Sequence, residues 1–515
     1  MSSNRSPRAA TSKSATLRRS AMRAFDEQTA KDLEFDAIRT LLLHHCQNPS
    51  AIARAHALHP MDRQKQWQKE LEQTKEMLEI KREGNGFPAV GCEEIGADNE
   101  RLAVRDSVLD EAGFHRLKTA SLTVNDVIAA LDERESSSPR LVHLASSVHH
   151  TLEIIESIDA VFDAKGQVRS NASAKLIHIR EEMVRLRRAI NRQFLKDLKR
   201  FKERGWLADT NEGFINNRRV LAVNSTHKRK VSGTALGQSK NGSITFIEPA
   251  ANVSMNFEME MLLDDERKEI LRILRALTAQ TRKHLPLFRA YHVLLVELDW
   301  IRAKMQLAVE MEADMPGLRQ DCSFHLIRAY HPLLAMQNKL NGVHTEPQTI
   351  ALSKKGRMLV ISGPNAGGKS IALKTVGLLQ VMLQSGLLVP VHPNSEMGSF
   401  ETILTDIGDN QSIENQLSTY SYRLNRMRSF LEIANAKSLL LLDEFGTGSD
   451  PELGGALAEV FFEELYARKS YAVITTHYAN IKSRAAQMEQ AINGSMRFDR
   501  DSLQPLFKLD IGPPG

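Results

Sequence analysis

The chain holds 515 residues, 42% of them hydrophobic and 25% charged, with three cysteines and a formal net charge of +5. That length suggests about three structural units of ~150 residues, and the composition excludes wholesale disorder and collagen-like or membrane-spanning classes, since no apolar run approaches the ~20 residues a bilayer helix needs. The N-terminus lacks the apolar stretch of a signal peptide, and Cys46, Cys92 and Cys322 are too scattered for a disulfide framework or a typical zinc site, which points to a reducing cytosol.

Residues 1–24 carry Arg5, Arg8, Lys13, Arg18, Arg19 and Arg23 and no acid, so taking this +6 from the chain's +5 leaves −1 for the rest. A tail so rich in Ser, Ala and Thr is expected to be disordered. It reads as a nucleic-acid arm or, more simply, as a solvated leader. Residues 25–170 read as a helical core domain, with Leu33, Phe35, Ile38 and Leu41–Leu43 inside and loops near 84–91 and 136–139. The His44–His45 and His149–His150 pairs have no carboxylate or cysteine at ligand spacing, which disfavours a metal there.

From about 171 to 204 the apolar residues Leu176, Ile179, Met183, Leu186, Ile190, Phe194, Leu198 and Phe201 recur at steps of three and four. That spacing predicts one long amphipathic helix, which Gly205 would end. Residues 214–247 change character. Phe214–Ile215, Val220–Val223 and Ile244–Ile247 are β-prone and are broken at Asn216–Asn217, Ser232–Gly233 and Asn241–Gly242. The segment holds Arg218, Arg219, Lys228, Arg229, Lys230 and Lys240 with no acid. Lysine defends exposed strand edges, but six positives without an acid favour contact with a phosphate backbone. Helix is expected again from about Met255 to Met311, interrupted near Pro286. A small β-rich island between long helices is an arm with a tip.

Met358–Ser362 is a short apolar strand, followed by Gly363, Pro364, Asn365, Ala366, Gly367, Gly368, Lys369 and Ser370 and then a helix from Ile371. This is the strand, G-x-x-x-x-G-K-S, helix context of a P-loop. Backbone N–H groups from Gly363 through Ile371 would cradle phosphates, Lys369 would reach the β/γ-phosphates, and the Ser370 hydroxyl would meet Mg²⁺. Ser438–Leu442 is a second apolar strand, ending in Asp443 and Glu444. Asp443 would hold Mg²⁺ through water, and Glu444 would orient and deprotonate the attacking water. A third strand, from Tyr471, ends at His477, which would sense the γ-phosphate. Leu417–Tyr422 precedes an expected helix from Arg423 to Ile433. Its serines read as N-caps or as a γ-phosphate receptor at a helix N-terminus, in the position of the signature helix of dimeric ATP-clamping folds.

Together, Gly363–Ser370, Gly408–Tyr420, Leu442–Pro451, Thr475–Tyr478 and Asn493–Met496, with Arg328–Leu333 ahead of them, resemble the MutS family. Gln411–Glu414 and Phe246–Pro249 look most like its second bacterial subfamily, the recombination-associated paralogue. The resemblance covers about 25–515 and is most specific over 328–511. It implies a multidomain α and α/β protein: a helical core, a lever helix at 171–213, a β-rich clamp at 214–249, lever helices at 250–317 and an ABC-type P-loop ATPase domain at 318–515. It assigns nucleotide roles to Lys369, Ser370, Asp443, Glu444 and His477, γ-phosphate contact to Asn365, a trans-acting signature to Ser418 and Ser421, and a dimer-facing loop to Asp450. The adenine-stacking aromatic finds no match in 335–350.

The implied protein is a homodimeric, ATP- and Mg²⁺-dependent clamp on double-stranded, branched or recombining DNA, in the bacterial cytosol or nucleoid and without a membrane partner. Only about 140 residues precede the first lever, so mismatch reading is not expected. The chain stops at Gly512–Gly515, inside the last ATPase motif, so the subfamily's small C-terminal nuclease domain is expected to be missing. The rival readings are an ATPase acting on stalled ribosomes, whose RNA would suit a basic clamp equally, and a nucleotide-binding fragment without turnover.

Overall fold

The computed structural model describes residues 25–84, 87–89, 94–364, 367–408, 416–446, 451–499 and 504–512. The basic tail, Cys92, Asn365, Ala366 and Asp450 lie outside the described residues.

In chain order the helices are α1 (Glu27–Asp32), α2 (Phe35–His45), α3 (Pro49–His56), α4 (Gln64–Arg82), α5 (Gly96–Ala103), α6 (Glu111–Asp132), α7 (Pro139–Ala145), α8 (Glu153–Val161), α9 (Ala174–Glu203), α10 (Ala250–Thr281), α11 (Leu285–Glu310), α12 (Pro332–Leu340), α13 (Lys369–Gln384), α14 (Gln416–Ile433), α15 (Pro451–Ala467) and α16 (Ala479–Gln487). The strands are β1 (Leu207–Ile215), β2 (Arg218–Asn224), β3 (Gly233–Gln238), β4 (Ile244–Pro249), β5 (Gly317–Leu318), β6 (Phe324–Ala329), β7 (Gln348–Leu352), β8 (Met358–Ser362), β9 (Glu396–Met397), β10 (Thr402–Asp406), β11 (Ser438–Leu442), β12 (Tyr471–Thr475), β13 (Ala491–Asp499) and β14 (Gln504–Ile511). They group into two compact units that do not follow chain order. One takes residues 1–92, 127–146 and 294–515, the other 93–126 and 147–293.

The second unit holds the long helices and a small antiparallel sheet of order β1-β2-β4-β3. The Ser173 hydroxyl caps α9 by accepting from the Leu176 N–H at 3.0 Å. Leu176, Ile179, Met183, Phe194 and Phe201 are buried along α9, on the stripe read from the sequence. Phe194 and Phe201 share a core with Leu221, Val223, Val231 and Ile247 of the sheet region. Asn216 and Asn217 both have positive φ, 46° and 61°, as a two-residue hairpin turn between β1 and β2 requires.

Three boundaries differ from expectation. β1 begins at Leu207, inside the stretch assigned to the first lever, because it pairs with β2 from Leu207↔Val223 onward. β3 forms over Gly233–Gln238, where the sequence signals a break. The strand has little propensity of its own and is held by pairing with β4. The returning helix α10 begins at Ala250 rather than near Met255. It stops before the 3₁₀ turn Arg282–His284, and Pro286 falls in the first turn of α11, where proline is tolerated.

The first unit is built on a six-stranded sheet of order β10-β11-β12-β8-β13-β14, in which only the β13–β14 pairing is antiparallel. β8, β11 and β12 are buried at every position, as strands covered on both faces must be. Met358, Val360, Leu440, Leu442, Ala472 and Ile474 pack with Phe430 of α14, Phe462 of α15 and Ile481 of α16. The alternate residue Leu441 meets α13 at Gly377, where an added Cβ would lie 2.3 Å from its side chain. A smaller sheet, β5-β9-β6-β7, belongs to the same unit. Among the described residues no helix is long and apolar enough to cross a membrane.

Candidate nucleotide site and basic surface

Parallel strands deliver their C-terminal ends to one edge of a sheet, and here β8, β11 and β12 are adjacent. The turns that leave these three strands therefore meet at that edge. After β8 the chain turns at Gly363, with φ 130°, and again at Gly368, with φ 90°, before α13 begins at Lys369. A Cβ on Gly363 would stand 3.2 Å from the Cβ of Met496 on β13, so the turn is both left-handed and tight.

Lys369 is 2% exposed. Its Nζ donates to the Gly363 carbonyl at 2.7 Å and lies 3.1 Å from Nε2 of His477. Desolvation lowers the lysine's pKa, with the Glu444 and Asp443 charges opposing that shift. Desolvation and then the Lys369 charge push the His477 imidazole below its ordinary value. An ammonium has donors and no acceptor, so a protonated Lys369 can only donate to this nitrogen.

After β11, Asp443 is buried, and its Oδ1 accepts from the Thr475 hydroxyl at 2.5 Å. The same hydroxyl accepts from the Glu444 N–H at 2.8 Å. Asp443 N–H donates to the Asp406 carbonyl, and Phe445 N–H to the Thr475 carbonyl. Glu444 itself sits at φ 47°, an uncommon backbone for a non-glycine residue. The turn holding both acids is thus pinned from β10 on one side and β12 on the other. At the end of β10, burial raises the Asp406 carboxyl, with Arg423 and Arg426 opposing it.

Ser370 and Ile371 fall in the first turn of α13, which begins two residues ahead of the expected start. Pro364, Gly367 and Gly368 complete the described part of the turn. Ser418 and Ser421 lie within α14, not before a helix, because α14 already begins at Gln416 and no Gly or Pro interrupts 416–433. A further aromatic enters from a distance. Phe507 on β14, 48% exposed, has its ring where a Cβ on Gly368 would meet it at 3.2 Å. Gln348 on β7 secures that strand by donating to the Phe507 carbonyl at 2.5 Å. The sequence offered no signal for this neighbour, since Phe507 and Gly368 lie far apart in the chain and no local pattern links them.

Residues 359–513 match the family model for MutS domain V. The chain is 32% identical to endonuclease MutS2 of Clostridium botulinum (strain Alaska E43), and the match covers 95% of this chain and 62% of that protein. It is 33% identical to endonuclease MutS2 of Clostridium perfringens (strain SM101) and 31% to that of Levilactobacillus brevis, with the same coverage of both partners. These likenesses support a MutS2-like family. The chain spans about three-fifths of the length of the curated relatives it matches.

The six basic residues of 214–247 separate into two groups. Arg218 donates to Glu248 at 2.9 Å and to Glu260 at 2.5 Å. Arg219 donates to Glu212 at 2.5 Å and lies 4.5 Å over the Phe194 ring. Glu248 is fully buried and also accepts from Asn256, so Arg218 neutralises a carboxylate that would otherwise be isolated. The acids lie just outside the stretch that looked uniformly positive. Lys228, Arg229, Lys230 and Lys240 are exposed and form no ion pair among the described residues.

Proposed function

We propose that the chain binds ATP with Mg²⁺ at the ends of β8, β11 and β12, hydrolyses it, and uses the cycle to close and open a dimeric grip on branched or recombining double-stranded DNA. The observation that carries this reading is the convergence of Lys369, Asp443, Glu444 and His477 on one sheet edge, with Thr475 fixing the acidic turn. The turn from Gly363 to Ser370 would hold the phosphates. Asp443 and Ser370 offer the hard oxygen donors that suit Mg²⁺, which keeps much of its water shell. Glu444 would take the proton of the attacking water, and His477 would donate toward the γ-phosphate. Phe507 would face the base. Positioning and electrostatics supply most of the rate in such transfers. The longer relatives are endonucleases by name, whereas the reading for this chain is ATP hydrolysis coupled to a grip on DNA.

The test is Glu444→Gln. ATP hydrolysis should fall at least ~100-fold, as removal of a general base does, while binding of a fluorescent ATP analogue persists. Lys369→Ala should lose the binding itself. Hydrolysis at the wild-type rate by Glu444→Gln would remove the mechanism.

A further inference from the structure

Among the described residues, exposed positive charge without an ion pair also gathers at the end of α9, away from the strand arginines. α9 closes with a left-handed Gly205, φ 68°, whose N–H donates to the Lys202 carbonyl, while the Trp206 N–H donates to the Phe201 carbonyl. This double closure brings the residue after the glycine back onto the last helical turn. Trp206 accordingly stacks on Phe201, with ring centroids 5.8 Å apart and planes 22° from parallel. Its carbonyl accepts from the Asn224 N–H at the end of β2, so the indole is anchored from two elements.

Onto this indole the chain brings two cations from separate places. The Arg204 guanidinium lies 5.0 Å and the Lys230 ammonium 5.8 Å from the ring centroid. The His227 ring stands at 6.3 Å. Arg200, Lys202, Lys228 and Arg229 are exposed on the same two segments, and Glu203 is the one carboxylate in 198–208. None of these cations makes an ion pair among the described residues, whereas Arg218 and Arg219 are bound to acids.

We infer that Arg204 and Lys230, held on Trp206, form a contact site for backbone phosphates of double-stranded DNA. The inference rests on the proposed DNA grip and moves its centre from the strand arginines to the helix end. Cations fixed over an aromatic ring lose less freedom when they meet a phosphate. A single strand would present bases for stacking, but Phe201, His227, Arg204 and Lys230 already surround the indole. The site is built for phosphates and carries no base readout.

The experiment measures duplex affinity by fluorescence anisotropy between roughly 50 and 200 mM salt for the whole chain. Arg204→Gln with Lys230→Gln should flatten the slope of log K against log salt by about 1.8, two phosphate contacts' worth. Arg187→Gln with Arg188→Gln, the same charge removed from exposed positions on the middle of α9, should leave the slope in place. Trp206→Leu should weaken binding and Trp206→Phe should restore most of it. Thermal unfolding of each variant confirms that the protein is folded. Trp67 and Trp300 are buried, so duplex should change the emission of Trp206, and poly-dT should change it less. An unchanged slope in the Arg204/Lys230 variant, with wild-type protein binding duplex normally, overturns the inference and leaves the grip standing. So does an equal loss in the Arg187/Arg188 variant, which would mean diffuse attraction. Wild-type protein that binds no duplex overturns both.

Discussion

Thr475 joins the two acids of the candidate nucleotide site through a single hydroxyl, which donates to Asp443 and accepts from the backbone of Glu444. Thr475→Val keeps the shape and removes both bonds. ATP hydrolysis should fall by about 10–100-fold, as when an outer-shell partner of a metal ligand is removed, with the Mg²⁺ requirement shifted to higher concentration. Phosphate release measured across a Mg²⁺ titration reads both. A second residue tests electrostatics away from the site. His331 is 5% exposed, its Nδ1 accepts from the Leu334 N–H at the start of α12, and its Nε2 is buried with no hydrogen-bond partner among the described residues. Burial pushes its pKa from 6.5 down to about 4, with the Lys374 charge adding to that and Glu34 opposing. The folded form therefore binds this proton less readily than the unfolded form. The stability this provides is whole above pH 6.5 and drains as pH falls toward 4, by about 3 kcal/mol. His331→Asn keeps a capping side chain and cannot titrate. Urea midpoints measured from pH 7.5 to pH 4.5 should therefore fall less steeply for the variant than for the wild type.

Among the elements, what was legible in the sequence was whatever is written in local pattern. The apolar strands β8, β11 and β12 and the stripe of α9 each carry their signal within a few residues, and the structure has them there, with β12 stopping at Thr475, two residues before the expected end at His477. β3 was not legible, because Gly233–Gln238 becomes a strand only through β4. The pairing of Arg218 with Glu260 and the approach of Phe507 to Gly368 were not legible either, since both join segments far apart in the chain. Close packing of elements is equally non-local. Gly377 in the middle of α13 looks like a weakness of the helix, yet a Cβ there would meet Leu441 at 2.3 Å and Leu33 at 2.6 Å. Alanine would gain ~1 kcal/mol of helix propensity and still have to displace two buried leucines. Gly377→Ala should therefore destabilise the first unit by about 1–3 kcal/mol, the usual cost of overpacking, as a lowered denaturation midpoint.

At the scale of the whole molecule, the candidate nucleotide site can be completed by one chain or by two. The described groups at the sheet edge supply a lysine, two acids, a threonine and a histidine, all from one chain. A γ-phosphate gains further from a helix N-terminus, where unpaired N–H groups and the helix dipole favour negative charge. Ser418 and Ser421 stand in the first turns of α14, and the MutS resemblance assigns such a helix to the nucleotide held by a second copy. On that assignment ATP is part of the interface and self-association depends on it. Glu444→Gln should keep ATP uncleaved and so trap the paired state. In sedimentation velocity with ATP and Mg²⁺ this variant should run at twice 57.8 kDa, and without nucleotide at a lower mass. Ser418→Arg in the same background should remain at the lower mass while still binding the ATP analogue, because its own turn from Gly363 to Ser370 is untouched. A mass that ignores ATP, or a Ser418→Arg protein that pairs normally, would place the γ-phosphate contact elsewhere and leave α14 as an ordinary helix of the fold.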